Sequence, residues 1–212
     1  MRATRNLALA LLIAGGAVQA EPVTVAALGD SLTQGYGLPP DQGFVPQLQR
    51  WLDAQGAEAA LINAGVSGDT TAGGLARIDW TLTPDVGALI VTLGGNDMLR
   101  GLDPAEAKAN LAGILQAAQR RGLPVLLIAM AAPSNYGPDY KAAFDAAYAD
   151  LAADYGALLH PNFLRALTAE ADLATAFERY MQPDGIHPNA EGVALIVEDV
   201  GPSVLQLLAL TD

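Results

Sequence analysis

A serine, an aspartate and a histidine in this sequence have the residue types and the settings that nucleophilic catalysis needs. Ser31 follows an apolar run that ends at Leu28, in a small polar turn of sequence Gly-Asp-Ser-Leu. Asp184 and His187 stand three residues apart in a loop constrained by proline and glycine. A serine hydroxyl becomes reactive when an imidazole takes its proton and a carboxylate holds the other ring nitrogen. The three residues could form such a group, although a serine in a glycine-rich turn is more often a cap or turn residue.

His160 is the second histidine of the chain and competes with His187 for the role of base. Both histidines are followed by proline and asparagine. The residues at 157–159 are apolar, and no partner for His160 stands nearby in the sequence. We therefore expect His160 to be a polar residue at the end of a strand and His187 to be the base.

Two more residues could stabilise the oxyanion that forms when a carbonyl is attacked. Gly68 could offer a backbone N–H where a side chain would block the approach, and Asn96 could offer its side-chain amide. Loss of one such donor typically costs about 2.7–4 kcal/mol of transition-state stabilisation. Glycine and asparagine are also common turn residues, so a purely structural role remains open for each. Their convergence with Ser31 just after predicted strands favours the catalytic interpretation.

An alternation of strands and helices would bring these residues together. The strands are predicted at Val23–Leu28, Ala59–Ala64, Val86–Leu93, Val125–Met130 and Ala157–Leu159, where short apolar runs end in turn residues. Helices are predicted at Phe44–Gln55, from Asp103 to about Arg121, at Tyr140–Asp154 and from about Asn189 onward. This order indicates an α/β fold with a parallel sheet and helices on both faces. Ligands bind such sheets at the carboxyl ends of the strands.

Composition limits the partners and the location of the protein. The 212 residues, 51% of them hydrophobic, suit one domain. Arg2 and Arg5 precede a short apolar run, which predicts a cleavable signal over residues 1–20 and a periplasmic protein; a membrane anchor is the alternative. A formal charge of −12 argues against nucleic acid and anionic lipid as partners. The absence of cysteine and the presence of only two histidines argue against a structural metal site.

Four blocks of the sequence resemble those of the GDSL, or SGNH, hydrolases. They are Gly29-Asp30-Ser31-Leu32, Gly68, Gly95-Asn96-Asp97 and Asp184-Gly185-Ile186-His187-Pro188. The similarity is greater to the secreted bacterial thioesterase/lysophospholipase/arylesterase branch, and it covers essentially all of residues 21–212. It implies a flavodoxin-like α/β/α sandwich with a five-stranded parallel sheet, and no cofactor. It also implies Ser31 as nucleophile, His187 as base and Asp184 as its orienting partner. The implied oxyanion hole comprises the N–H groups of Ser31 and Gly68 and the amide of Asn96.

The expected reaction is hydrolysis of small-molecule carboxylic esters and acyl-thioesters through an acyl-serine intermediate, by a monomer. Six large side chains close to these blocks could line an acyl slot, with core packing an equal alternative for each: Met98, Leu99, Leu102, Tyr136, Tyr140 and Ile186. Met98 stands where some relatives have a smaller residue and could alter acyl-chain preference. Two other functions stay open, an acetyl esterase acting on cell-envelope saccharide and a non-catalytic lipid- or acyl-binding protein. No glycine-rich phosphate loop follows any predicted strand, which argues against nucleotide binding.

Four charged residues in or near the blocks have simpler expected roles. Asp30 and Asp97 are expected to brace turns through hydrogen bonds to the backbone. Arg77 and Arg100 could pair with them or contact a substrate headgroup, but a solvated surface position is the expectation for both.

Overall fold

Five parallel strands form the centre of the molecule. The computed structural model describes residues 21–168 and 173–211, and the predicted signal segment 1–20 lies outside this part. The strands are β1 (Val23–Gly29), β2 (Ala59–Gly65), β3 (Val86–Thr92), β4 (Val125–Ile128) and β5 (Leu158–His160). They are arranged in the order β2-β1-β3-β4-β5, and every pairing is parallel. The predicted α/β fold with a five-stranded parallel sheet is confirmed, with strand ends displaced by at most two residues.

Helices connect consecutive strands, and several short ones follow the carboxyl ends of the strands. The helices are α1 (Ser31–Gln34), α2 (Phe44–Ala54), α3 (Thr71–Ala76), α4 (Ile78–Thr81), α5 (Gly95–Leu99), α6 (Pro104–Arg120), α7 (Pro138–Tyr155), α8 (Arg165–Thr168), α9 (Leu173–Tyr180) and α10 (Ala190–Leu208). A 3₁₀ turn covers Ser134–Tyr136 in the predicted loop before α7. Helices α2, α6, α7 and α10 were predicted, because each is long enough to show an apolar stripe or a cap. The six shorter helices were not predicted, since one or two turns carry too little periodicity.

Capping residues account for where α6 and α10 begin. Asp103 precedes α6, and its carboxylate accepts the N–H of Ala105 at 2.8 Å, ahead of a proline at the first helical position. Asn189 precedes α10, and its side-chain oxygen accepts the N–H of Gly192 at 3.0 Å. The start of α10 is therefore fixed three residues after His187.

Helices cover the sheet in two groups. Helices α2 and α10 pack against each other, while α6 packs against both α3 and α7. Gly201 of α10 allows the close approach to α2, since a Cβ there would lie 2.6 Å from the ring of Trp51. Residues Val25–Leu28 of β1 and Ala88–Val91 of β3 are fully buried. Among the helices of residues 21–168 and 173–211, none is both long and apolar enough to span a bilayer.

The carboxyl edge of the sheet gathers the segments that the sequence singled out. Strand β1 leads directly into α1 at Ser31, β2 leads into the turn that contains Gly68, and β3 leads into α5, which contains Asn96. The loop with His187 reaches the same edge, where Met181 and Pro188 pair in an isolated antiparallel bridge. The register of the sheet thus brings together residues that are far apart in the sequence.

Candidate active site

Ser31, His187 and Asp184 form a continuous chain of polar contacts. Nε2 of His187 lies 2.8 Å from Oγ of Ser31, across 156 positions of sequence. Nδ1 of the same ring lies 2.6 Å from Oδ2 of Asp184. These are ordinary hydrogen-bond lengths with a charge-assisted contact at the carboxylate. The ring can therefore hold a proton on Nδ1 and accept one from the serine on Nε2.

The loop 181–189 fixes the imidazole from several directions. The second carboxylate oxygen of Asp184 accepts the N–H groups of Ile186 at 2.9 Å and His187 at 3.0 Å. The amide of Gln182 donates to the carbonyl of Tyr36 at 2.8 Å, which ties the loop to the segment after α1. The ring of Tyr36 lies 4.8 Å from that of His187, centroid to centroid. The sequence did not identify Gln182 or Tyr36 as supports for the histidine.

The carboxyl group of Asp184 stays ionised in acid. The N–H of His187, then its side chain, then the N–H of Ile186 all favour the charged carboxylate, and together they lower the pKa of Asp184 to about 2. A permanent negative charge thus faces Nδ1 over the whole range in which an imidazole titrates.

Asp30 differs from Asp184 because it is buried, with 2% of its surface exposed. It caps α1, and its carboxylate accepts the N–H of Leu32 at 3.0 Å, as the sequence predicted for a bracing residue. Burial raises the pKa of Asp30 to about 6, although the hydrogen bond from Leu32 and the proximity of His187 act in the opposite direction. A titratable carboxyl group therefore lies next to Ser31.

Gly68 and Asn96 lie on the same cavity as Ser31. Gly68 has a φ of +85°, in the left-handed region that side chains disfavour. Its carbonyl accepts a hydrogen bond from Arg100 at 2.8 Å. The amide nitrogen of Asn96 donates to the carbonyl of Asp69 at 2.9 Å and has a longer contact of 3.3 Å with Oδ2 of Asp30. The turn after β2 is thus held by side chains that follow β3.

Arg77 corrects an expectation, because it is not a solvated surface residue. Its guanidinium donates to the carboxylate of Asp69 at 2.6 Å, to the carbonyl of Ala64 at 2.8 Å and to the carbonyl of Gly29 at 2.9 Å. The three acceptors come from the ends of β1 and β2 and from the turn between β2 and α3. Arg77 therefore joins the strand that leads to the serine to the turn that contains Gly68.

Asp97 braces the same turn from α5. Its two carboxylate oxygens accept the N–H of Thr71 at 2.9 Å and the hydroxyl of Thr71 at 2.6 Å. This agrees with the bracing role predicted for Asp97. Arg100 is exposed, as expected, although it also holds the carbonyl of Gly68.

A cavity of about 510 Å³ opens beside Ser31, and its wall is mostly apolar. Of the six side chains predicted to line an acyl slot, Met98, Leu99 and Ile186 lie on this wall. Leu102, Tyr136 and Tyr140 are not among the residues on this wall; Tyr140 packs against the core, whereas Tyr136 is 42% exposed. The rings of Tyr136 and Tyr140 pack against each other at 4.9 Å, and Tyr140 stacks on Phe144.

Sequence reasoning missed part of the wall. The apolar lining residues it did not identify are Leu32, Tyr36, Met130, Ala131, Pro133, Leu164, Phe177 and Met181. Met130 and Ala131 could have been found, because they follow β4 at the same edge of the sheet as Ser31. Leu164 and Phe177 could not, since they belong to the segment around α8 and α9, for which no helix was predicted.

His160 does have polar partners, contrary to the expectation from its neighbours in sequence. Its Nδ1 lies 3.3 Å from the hydroxyl of Ser203, and its Nε2 lies 3.4 Å from Oδ2 of Asp199. Both partners are on α10, about 40 residues away in the sequence. His160 itself ends β5, as predicted, and only 1% of its surface is exposed. Across the described residues, no three His, Cys, Asp or Glu side chains are grouped so that they could hold a metal ion.

Comparison with known proteins agrees with this geometry. The GDSL-like lipase/acylhydrolase family matches residues 27–195. Esterase TesA of Pseudomonas aeruginosa is 40% identical over 203 residues, which cover 95% of this chain and 96% of the relative. The thioesterase 1/protease 1/lysophospholipase L1 of Escherichia coli K12 is 34% identical over 176 residues, 82% of this chain and 80% of the relative.

A solved structure extends the agreement to three dimensions. The esterase AlinE4, of the SGNH-hydrolase family, superposes with a TM-score of 0.72 at 46% identity and covers 89% of this chain and 97% of its own. The family match spans most of the chain, and the similarity includes all four sequence blocks. This chain belongs to the GDSL/SGNH hydrolase family and is a serine ester hydrolase.

Proposed function

We propose that the protein hydrolyses small-molecule carboxylic esters and acyl-thioesters through an acyl enzyme formed on Ser31. The observation that carries this proposal is the unbroken contact path from Asp184 through His187 to Ser31, at the edge of an apolar cavity. A nucleophile, a base and an orienting carboxylate within hydrogen-bond reach are the features that this reaction class requires.

In the first step, Oγ of Ser31 attacks the acyl carbonyl while Nε2 of His187 takes the hydroxyl proton. Asp184 keeps the other ring proton on Nδ1 and stabilises the imidazolium that forms. The imidazolium then gives its proton to the departing alcohol or thiol. Because the pKa of Asp184 is about 2, its carboxylate remains charged throughout the working range.

The negative charge on the attacked oxygen needs donors that are already in place. The N–H groups of Ser31 and Gly68 and the amide of Asn96 are the proposed donors. Asn96 would exchange its 3.3 Å contact with Asp30 for the oxyanion and keep the shorter bond to the carbonyl of Asp69. Fixed donors of this kind require little reorganisation when the charge appears.

In the second step, water enters the same site and His187 acts as its base. The hydroxide equivalent attacks the acyl-serine, and the imidazolium returns a proton to Ser31 as the acid leaves. Each step uses the same base and the same oxyanion donors. Within this mechanism the protein supplies every proton transfer from its own side chains.

The cavity supports an acyl group longer than acetyl. About 510 Å³ lies in the range of pockets that bind small organic ligands, whereas an acetyl group needs only a small recess. The wall away from Ser31 presents leucine, isoleucine, methionine and phenylalanine side chains. This arrangement favours an acyl esterase or thioesterase over an acetyl esterase acting on saccharides.

The proposal also includes the domain organisation and the location. Residues 1–20 would act as a cleavable signal, and residues 21–212 would be a single hydrolase domain that works in the periplasm as a monomer. The charged start of the segment and its short apolar run support export. Mass spectrometry of the protein purified from a periplasmic extract would locate the new N-terminus.

A substrate panel tests the activity. It comprises p-nitrophenyl esters from acetyl to palmitoyl, acyl-thioesters of matched lengths and lysophospholipids, each assayed with wild type and Ser31→Ala. Wild type should hydrolyse esters and thioesters, and the variant should lose at least about 10⁴-fold in kcat/KM. Wild-type rates in the variant would exclude Ser31 as the nucleophile, and no turnover by either protein would overturn the proposal.

A further inference from the structure

All the methionines beyond Met1 line one cavity. The chain contains four methionines, and Met98, Met130 and Met181 are three of the residues on the wall beside Ser31. They come from three separate segments: Met98 from α5, Met130 from the turn after β4, and Met181 from the bridge that precedes the His187 loop. Met130 and Met181 also belong to the hydrophobic core, and Met98 packs against it. No methionine of residues 21–168 and 173–211 lies away from this cavity.

The three residues differ in solvent exposure. Met130 and Met181 are 4% and 7% exposed, whereas Met98 is only partly buried. The methyl group of Met130 lies 3.6 Å from the point where a Cβ on Gly95 would be, an ordinary van der Waals distance. The polar side chains of the wall include those of Asp30, Ser31, Ser67, Asn96 and His187, and the methionines belong to its apolar part.

Methionine changes shape more readily than the residues around it. Its side chain is unbranched and rotates about three bonds, and its thioether is polarisable, so it fills irregular gaps at low cost. Leucine and isoleucine of similar size are branched and have fewer accessible shapes. A wall with three methionines on different segments can therefore fit acyl groups whose lengths and branches differ.

We propose that Met98, Met130 and Met181 set the breadth of acyl-group specificity by making the acyl site conformable. The inference rests on the proposed esterase function and names the occupant of the cavity as the acyl part of the substrate. Straight, branched and aromatic acyl groups all bind, because the three side chains rearrange around each of them.

The test is a set of leucine variants that keep volume and remove flexibility. Met98→Leu, Met130→Leu, Met181→Leu and the triple variant are assayed on p-nitrophenyl esters of straight, branched and aromatic acids. Because Leu and Met are close in volume, the triple variant should lose less kcat/KM on the best straight-chain ester than on the other esters. On branched and aromatic esters kcat/KM should fall at least tenfold.

A second readout uses the same residues without changing the sequence. Hydrogen peroxide transfers one oxygen atom to each methionine sulfur and leaves as water, which turns an apolar wall into a polar one. In the mature wild-type protein, peroxide should lower kcat/KM for octanoyl and longer esters at least fivefold more than for acetyl ester. The triple leucine variant lacks these sulfur atoms and should keep its ratio of long-chain to acetyl activity.

The outcomes separate this inference from the proposed function. If no variant and no substrate shows Ser31-dependent turnover, the proposed function fails. If esters are hydrolysed but the leucine variants change kcat/KM by one common factor for all acyl groups, the methionines only fill space and this inference fails. If one of the single leucine variants unfolds, the other two single variants provide the test. A narrower range of accepted acyl groups in them supports the inference, and an unchanged range overturns it.

Discussion

The two histidines of this chain share a local sequence and a set of neighbours, but their surroundings differ. Each is followed by proline and asparagine, and each has a serine hydroxyl and an aspartate carboxylate within 3.4 Å of its ring nitrogens. His187 lies on the 510 Å³ cavity. His160 is 1% exposed, between β5 and α10.

Both polar contacts of the ring are shorter at His187 than at His160. At His187 the contacts are 2.8 Å to the hydroxyl and 2.6 Å to the carboxylate, whereas at His160 they are 3.3 Å and 3.4 Å. Backbone N–H groups hold Asp184 in place for its ring, while Asp199 also pairs with the guanidinium of Arg165. The carboxylate at His160 is therefore shared with a second cation.

Under the proposed function, contact distance and access are the features that distinguish the reaction site from a second cluster with the same three residue types. Short contacts set up proton transfer, and the cavity admits a substrate carbonyl to the serine. At Ser203 the hydroxyl contacts a buried ring, and its role is to satisfy a polar atom inside the fold. Four predictions test this division, in order of decreasing effect.

The largest expected difference is between the two serines. A fluorophosphonate probe should label wild type and Ser203→Ala to completion and should leave Ser31→Ala unlabelled, because only Ser31 combines a base with access to the probe. Ester hydrolysis by Ser203→Ala should stay within twofold of wild type. Peptide mass mapping of the labelled protein identifies the modified serine, and adduct on Ser203 would contradict the comparison.

The two aspartates should separate activity from stability. Asp184→Asn removes the charge that orients His187, and kcat should fall by about 10³–10⁴-fold with little change in melting temperature. Asp199→Asn should keep kcat within twofold but lower the free energy of unfolding by about 1–2 kcal/mol, because Arg165 and His160 lose a charged partner. Ester assays and urea denaturation on both variants provide the two measurements.

A loss of activity in Asp199→Asn that matches the loss in Asp184→Asn would remove the distinction between the two clusters. Asp103→Asn supplies a matched control, since its carboxylate caps α6 at the surface. It should leave kcat unchanged and alter the free energy of unfolding by no more than about 1 kcal/mol.

The sequence predicted the positions around His187 better than those around His160 for a physical reason. Ser31, Gly68 and Asn96 each follow a strand, and a parallel sheet brings such ends to one edge regardless of side-chain detail. The contact between His160 and α10 depends on how a helix packs across the sheet, which no local pattern encodes. Proximity in sequence linked Asp184 to His187, but Asp199 and Ser203 are too distant to be assigned to His160.

Arg77 and Phe177 are two further residues whose contacts could not be predicted from the local sequence. The three acceptors of Arg77 come from three separate segments, so its role depends on the assembled sheet. Phe177 lines the cavity from α9, an eight-residue helix whose position is set by its contacts with α8 and α10. The fold and the convergence of Ser31, Asp184 and His187 could be predicted from the sequence, whereas much of the cavity wall could not.

Asp30 should make the active-site region less stable as pH rises. Its folded-state pKa is about 6 against an ordinary value of 3.8. The fold therefore holds this proton more tightly than the unfolded chain does, and the resulting stability is lost as pH rises from about 3.8 to 6. Asp30→Asn cannot ionise and retains an oxygen that can accept the N–H of Leu32. Relative to wild type, its free energy of unfolding should therefore rise by up to about 3 kcal/mol between pH 4 and pH 8.

Urea denaturation of wild type and Asp30→Asn at several pH values measures this difference. In wild type, the amide of Asn96 has a 3.3 Å contact with the carboxylate of Asp30. In the variant a second amide would face that of Asn96 and displace it, so the variant should also hydrolyse esters more slowly. A stability difference that is independent of pH would mean that Asp30 does not titrate in this range.

His160 should give the smallest effect, and one of opposite sign. Burial, the largest influence, lowers the pKa of His160 below its ordinary 6.5, and the nearby guanidinium of Arg165 acts in the same direction, while Asp199 partly opposes them. The neutral ring is therefore favoured in the fold, and wild-type stability should be lost as pH falls through 6.5. His160→Gln keeps a polar group near Ser203 but cannot gain this proton, so its free energy of unfolding should fall less than that of wild type between pH 7.5 and pH 5. Equal losses in both proteins would show that His160 binds its proton as readily in the folded as in the unfolded state, and the two histidine clusters would then differ in access alone.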